Sequence, residues 1–412
     1  MKRICVVGGG LAGVEALRHF QDALVRRPNV HVTFISPHEH FVYKPMLPDV
    51  AAGNLSARSA MLRLGALVDD DAKFTILKDR AEGLDASKGQ VFVQNHDPVD
   101  FDELILATGT PLDMGPFAQN DTTDGFLAWT QAEHISRRVL EAFSAPGGDP
   151  EAHKRQLTFV VAGAGPAGVE LAAELNASVR RALLPRASEA IRKRFRVILV
   201  DRRDAVLPSW SHETSSHARA CLEMADIEVR LNDGVAGFDG QDVILDSGAR
   251  IASKHLLWAA GRQAPQWLQQ SGLPLSDDGR LLVNDTLEVP DTEGVFAVGD
   301  LATRQTGPAW PRLASTAARQ GDIAADNALL DMVGASLQPF EHTPLGHMVR
   351  LGHQQALIEL PQQRLLTGTA AWALVNLIHM SQAPTLTKKL AICADWLENA
   401  IQGQEWTRAW IE

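Results

Sequence analysis

Cysteine is scarce in this 412-residue chain, and its three copies (Cys5, Cys221 and Cys393) lie far apart, with no C-x-x-C among them. That spacing excludes a disulfide framework and a zinc knuckle, makes a reducing compartment the default, and leaves no metal site to expect. Long apolar runs are also missing. No stretch approaches the roughly 18 residues of a transmembrane helix. Lys2 and Arg3 precede only a short apolar run before glycines begin, which is not the form of a signal peptide. Basic charge is in deficit, with 39 Lys and Arg against 50 Asp and Glu and a net charge of −11. A general nucleic-acid binder would need the opposite balance. Aromatic residues make up 6%, with a single tyrosine, Tyr43. What remains is ordinary for a soluble globular protein, 45% hydrophobic and 22% charged, and the length suggests two or three domains.

Glycine is where the chain is rich. The apolar run Ile4, Cys5, Val6 and Val7 predicts a buried parallel strand. Gly8, Gly10 and Gly13 follow in G-x-G-x-x-G spacing, with Leu11 and Ala12 opening a helix. The first glycine permits a tight turn, the second lets a pyrophosphate approach the backbone, and the third lets helix and strand pack closely. The helix N-terminus then offers N–H groups and partial positive charge to the phosphates. A domain's length later the pattern recurs: an apolar strand, Gly163, Gly165 and Gly168, with Pro166 and Ala167 opening a helix. Even Gly13-Val14-Glu15 is echoed by Gly168-Val169-Glu170. Two strand–glycine–helix units predict two dinucleotide sites.

Between and after these units the pattern reads as follows. The first helix runs to about Arg27 and Pro28 stops it. Residues 30–36 form the second strand, ending in Ser36 where an Asp or Glu usually binds ribose hydroxyls. Residues 37–53, with Tyr43, Lys44 and Pro45, form a shaped loop. Residues 55–67 are expected to be helical, and 73–94 to alternate as strands. A buried strand over 103–107 ends in Ala107-Thr108-Gly109, and residues 111–150 look like a linker. The second helix breaks near Pro185, and an inserted helix over 186–194 precedes a strand over 197–200. That strand is capped by Asp201, whose charge favours NADH over NADPH, although Arg202 and Arg203 follow at once. Further strands are expected over 226–246, at 255–261 ending in Ala260-Gly261, and at 295–300 ending in Gly299-Asp300. A small-residue helix covers 313–333. The tail changes character: 370–380 is apolar, Leu390, Cys393, Leu397 and Ile401 fall at helical spacing, and Trp372, Trp396, Trp406 and Trp410 are four of the nine tryptophans. Apolar faces, tryptophans and lysines together suit an interfacial membrane helix.

Taken together, these stretches resemble the two-dinucleotide-domain flavoproteins, and within them the type II NADH:quinone oxidoreductases, over nearly the whole chain. The resemblance implies an α/β fold of two Rossmann-like domains, the second inserted in the first. The FAD domain would cover residues 1–120 and 266–335, the NADH domain 150–265, and an amphipathic membrane-anchoring region 340–412. It implies FAD held by Gly8, Gly10, Leu11, Ala12, Gly13, Ser36, Lys44, Pro45, Ala107, Thr108, Gly109, Gly299 and Asp300. NADH would fall to Gly163, Gly165, Pro166, Ala167, Gly168, Glu170, Asp201, Ala260 and Gly261. Glu170 and Lys44 are the candidates for catalytic roles. The helix that carries two glutamines in the family has Ala314, Ser315, Ala317 and Arg319 at the matching positions, with Gln320 directly after; these five are assigned to the acceptor pocket, and the departure bears on the acceptor. The resemblance further implies a membrane quinone as acceptor, attachment to the inner face of the plasma membrane from the cytoplasm, and a homodimer. The alternatives are a soluble NAD(P)H-dependent reductase and a sulfide:quinone oxidoreductase-like enzyme, which would need a cysteine pair beside the flavin.

Overall fold

The first apolar run forms the strand Lys2–Val7, whose residues 4–7 are buried as a central parallel strand requires. It lies in the middle of a five-stranded sheet ordered Val295–Ala297, Glu103–Leu106, Lys2–Val7, Val30–Ser36, Phe74–Lys78. Every pairing in it is parallel. This is the doubly wound order in which the central strand feeds the ligand loop. In this computed structural model the described residues are 1–412 without 25–28, 70–71, 118–122, 127, 145–148, 344, 384 and 403–412. The chain divides into two units. The first comprises Met1–Val42, Met61–Pro111 and Arg262–Thr343; the second comprises Tyr43–Ala60, Leu112–Gly261 and Pro344–Glu412.

In the first unit the helix Leu11–Ala23 buries Leu17 and Phe20 completely. It packs against the helix Ala314–Asp331 across Gly321, where a Cβ would stand 2.2 Å from the Ala12 carbonyl oxygen. The helix ends at Ala23; Arg27 and Pro28 lie outside the described residues. The helix expected over 55–67 is absent. Turns occupy 57–60, a short strand Met61–Arg63 pairs with His40–Val42, and a single 3₁₀ turn covers Leu64–Leu67. The apolar spacing there serves a hairpin in place of a helix face.

The second unit repeats the plan. Its sheet runs Thr123–Gly125, His255–Trp258, Thr158–Ala162, Arg196–Val200, Ile227–Arg230, again all parallel. The helix Pro166–Ala182 is buried over most of its surface, from Gly168 to Ala182. The linker expected over 111–150 is largely structured. Thr123–Gly125 is an edge strand, and Trp129–Ser144 is a helix that buries Ala132, Ile135, Val139, Ala142 and Phe143. That spacing is a helical stripe, so the signal was present in the sequence; Gly147 and Gly148 lie outside the described residues.

The tail belongs to the second unit. An antiparallel sheet of His347–Arg350, Ala356–Leu360 and Arg364–Thr367 carries the helix Gly368–Ser381 on its face. Ala371 and Val375 of that helix pack on Ala356 and Ile358. The last helix, Leu386–Gln402, leaves Leu386, Leu390 and Leu397 exposed, as its predecessor leaves Leu377. Among the described residues no helix is long and apolar enough to cross a membrane. Trp406 and Trp410 lie outside the described residues.

Candidate functional site

Both glycine loops show the same division of labour. In the first, Gly8 has φ +125°, and a Cβ there would stand 2.3 Å from the Ala107 carbonyl oxygen. A Cβ on Gly13 would meet the Gly8 carbonyl oxygen at 2.0 Å. In the second, Gly163 has φ +111° against Ala259, and a Cβ on Gly168 would meet the Gly163 oxygen at 1.9 Å. The outer glycines are therefore fixed by protein packing. The middle ones are not: around Gly165 nothing lies within 4 Å, and Gly10 meets only the Ala107 oxygen at 3.9 Å. Each middle glycine caps a helix that has no side-chain cap and no acidic residue in its first turn. Uncapped N–H groups behind a cradle that a Cβ would fill are fitted to a pyrophosphate, so the residues present suit a dinucleotide in each unit.

Around the first loop, Ser36 is buried, and its hydroxyl donates to the His38 carbonyl at 2.9 Å. A Cβ on Gly9 would stand 2.6 Å from the Ser36 oxygen, so the small side chain leaves room for the loop. Ala107 is buried, Thr108 is half-buried, and Gly109 takes φ +63° with open space beside it. At the Gly299-Asp300 turn, Asp300 pairs with Arg262 at 2.7 Å, a partner the sequence did not announce. Gln320, assigned from sequence to the acceptor pocket, is fully buried and accepts the Gly299 N–H at 2.8 Å. It braces the Gly299-Asp300 turn. Of its neighbours, Ala314 and Ser315 are half-buried and Ala317 is buried. Arg319 is exposed and donates to Thr343 at 3.0 Å.

Around the second loop, Asp201 does end the strand Arg196–Val200. Its Oδ2 accepts the Ala164 N–H at 2.6 Å, beside the glycine turn. At the next strand end the Trp258 indole donates to the Asp113 carbonyl at 3.0 Å, and Gly261, after Ala260, takes φ +66° close against Asp113.

Glu170 does not face solvent. It is buried with Glu174, one helical turn on, with Asp49, and with Arg350, of which only 1% is exposed. Arg350 donates its backbone N–H to Glu170 at 2.9 Å, pairs with Asp49 through Nη1, and donates Nη2 to the Pro45 carbonyl at 3.0 Å. Lys44, one residue earlier, is exposed. Tyr43 donates to Gln382 at 2.6 Å, and His379 lies 3.4 Å from the same hydroxyl. Burial pushes the His379 imidazole down to about 3, so it is neutral.

Three carboxyls against one buried guanidinium leave an imbalance. Burial raises Glu170 while Arg350 pulls it back. Glu174 has no such direct partner. Its Oε1 is unpartnered, and Asn54 donates to its Oε2 only at 3.4 Å. Burial first, and then the charges of Asp49 and Glu170, push it to about 8 against the pull of Arg350. Glu174 therefore holds a proton at neutral pH. A carboxyl raised in the folded state contributes stability that is complete below about 4.5 and is lost as pH rises through about 8. Glu174→Gln is expected to keep the fold and remove that loss, sparing about 1.4 kcal/mol per pH unit between about 4.5 and 8. Thermal unfolding of both forms between about pH 5 and 8 checks this; parallel profiles across that window would refute it.

Similarity to known proteins follows the same outline. Residues 2–321 match the pyridine nucleotide-disulphide oxidoreductase family. The type II NADH:quinone oxidoreductase Ndh of Mycobacterium tuberculosis is 26% identical, covering 96% of this chain and 87% of its own. The demethylphylloquinone reductase NdbB of Synechocystis is 25% identical, covering 96% and 95%. The fold is shared with the structure of NDH2 from Plasmodium falciparum in complex with NADH, at a TM-score of 0.88 and 16% identity over 98% of this chain and 99% of that one.

Proposed function

The chain belongs to the pyridine nucleotide-disulphide oxidoreductase family, and we propose that it is a type II NADH:quinone oxidoreductase: an FAD-dependent respiratory enzyme that moves electrons from NADH to a membrane quinone without pumping protons. The observation that carries this is the duplicated cradle, two uncapped helix N-termini behind open middle glycines, one in each unit. In the first unit Gly8, Gly10, Leu11, Ala12 and Gly13 receive the FAD pyrophosphate, and the Gly299-Asp300 turn, held by Gln320 and Arg262, receives the flavin side of the cofactor. In the second unit Gly163, Gly165, Pro166, Ala167 and Gly168 receive NADH. Bound there, the flavin supplies the two-electron chemistry, accepting hydride from NADH and delivering electrons to the acceptor. The protein's part is to bind both dinucleotides and orient them.

The relatives support a quinone as acceptor, since both named enzymes act on one. The exposed leucines of the last two helices suit the surface of a bilayer, where a quinone is found. The protein then lies on the inner face of the plasma membrane, as a homodimer. The sulfide reading lacks its thiol pair. All three cysteines are free, and Cys5 is fully buried, with burial pushing its thiol up.

An anaerobic titration tests the proposal. NADH added to the yellow protein is expected to bleach the flavin, and a short-chain quinone to restore its absorbance. Bleaching without recovery would move the acceptor to something soluble. No bleaching would remove the hydride donor.

A further inference from the structure

The acid that ends the strand Arg196–Val200 is already engaged inside the protein. Asp201 Oδ1 accepts the Arg203 backbone N–H at 2.8 Å and Arg203 Nε at 2.9 Å. Oδ2 accepts the Ala164 N–H at 2.6 Å and Arg203 Nη2 at 2.7 Å. A carboxylate has about four lone-pair sites, and here each oxygen already accepts two bonds. A ribose diol arriving at this strand end meets an acceptor that is already filled. The two arginines that follow are not equivalent. Arg202 is clamped by Asp246 at 2.6 and 3.0 Å, and Asp246 is itself held by the Gly234 N–H. Arg203 has Asp201 as its acid partner, and its side chain is 54% exposed.

We propose that Arg203 selects the coenzyme: it covers Asp201 against the ribose diol and turns to a 2′-phosphate, so that the protein binds NADPH as well as NADH. The inference rests on the reading that this unit binds a reduced nicotinamide dinucleotide. The exchange is inexpensive for three reasons. Only the arginine's end of the pair meets water: the Arg203 side chain is 54% exposed and is rehydrated when it turns away, whereas Asp201, 6% exposed, must lean on its other donors. The planar guanidinium matches a phosphate bidentately, as it matches a carboxylate. And Asp201, when Arg203 turns away, keeps two backbone donors, the N–H groups of Ala164 and Arg203. Burial works against the ionised Asp201, but the Arg203 bonds and the Ala164 N–H outweigh it and hold the carboxyl below its ordinary range, so it stays an anion throughout. A bare strand-end acid would repel the 2′-phosphate; an acid carrying its own exchangeable cation does not.

The test measures binding on the flavin-loaded enzyme, by titrating NAD⁺ and NADP⁺ and following heat. Turnover with ferricyanide, which needs no quinone, is followed in parallel. The wild type is expected to bind both coenzymes with Kd values within about tenfold of each other. Arg203→Ala is expected to weaken NADP⁺ by about tenfold or more and to leave NAD⁺ equal or tighter. Arg203→Lys keeps the charge without the fork and should fall between. A thermal unfolding midpoint like that of the wild type shows that each variant is folded. Equal weakening of both coenzymes in Arg203→Ala, or a wild type that binds NAD⁺ but not NADP⁺, would overturn the proposal while leaving the dinucleotide site intact. Binding of neither coenzyme by the wild type would instead overturn the reading beneath it.

Discussion

Arg350→Met is expected to destabilise the second unit by about 3–5 kcal/mol, the usual cost of leaving buried charge without its partner. The volume is nearly conserved, so little of this is cavity. The loss is electrostatic. Asp49 and Glu170 lose the guanidinium that compensates their burial, Glu170 keeping only the residue-350 backbone N–H, and the Pro45 carbonyl loses its donor. With folded domains only about 5–15 kcal/mol above unfolding, such a variant keeps a thin margin. The sign of its pH dependence follows. Without Arg350 the carboxyls can avoid buried charge only by taking up protons, so the deficit against wild type should shrink as pH falls from 8 to 5. Urea unfolding at both pH values, read by tryptophan fluorescence, measures it. A deficit under about 1 kcal/mol at pH 8 would mean that the cluster is worth no more than a surface pair.

Alanine at the two glycines of the second loop should separate packing from binding. At Gly168 a Cβ would sit 1.9 Å from the Gly163 carbonyl oxygen, so Gly168→Ala must push the helix off the turn. Both stability and NADH binding are expected to fall, the latter by about a hundredfold as the N–H groups lose their aim. At Gly165 nothing lies within 4 Å, so Gly165→Ala should leave the unfolding midpoint unchanged. Its methyl group occupies the space where the pyrophosphate must approach, so NADH is expected to weaken about tenfold or more. Flavin content should survive in both variants, because the first loop lies in the other unit. Thermal melts and NAD⁺ titrations of the pair decide it. Equal loss of stability in the two would refute the division of labour between the glycines.

Much of this was legible in the chain because it is local. A strand, three glycines and a helix occupy consecutive residues, and each glycine answers a constraint within the same turn. The helical stripe of Trp129–Ser144 was equally local, yet the prolines and glycines flanking it made it look like a linker. The strand Met61–Arg63 departs from expectation for the opposite reason. Its apolar spacing suits a helix, and pairing with His40–Val42 overrides it.

The sequence by itself determined the two dinucleotide loops, the strand that feeds each, and the acid at residue 201, since backbone geometry and nearest neighbours dictate them. Only the tertiary structure decided what surrounds those residues. It brought Asp49, Glu170 and Arg350 together from three distant segments, turned Gln320 inward under Gly299, and set Arg203 across the face of Asp201. The reason is that burial of charge and the filling of an acceptor are set by partners in space, and no spacing along a chain encodes which partner arrives.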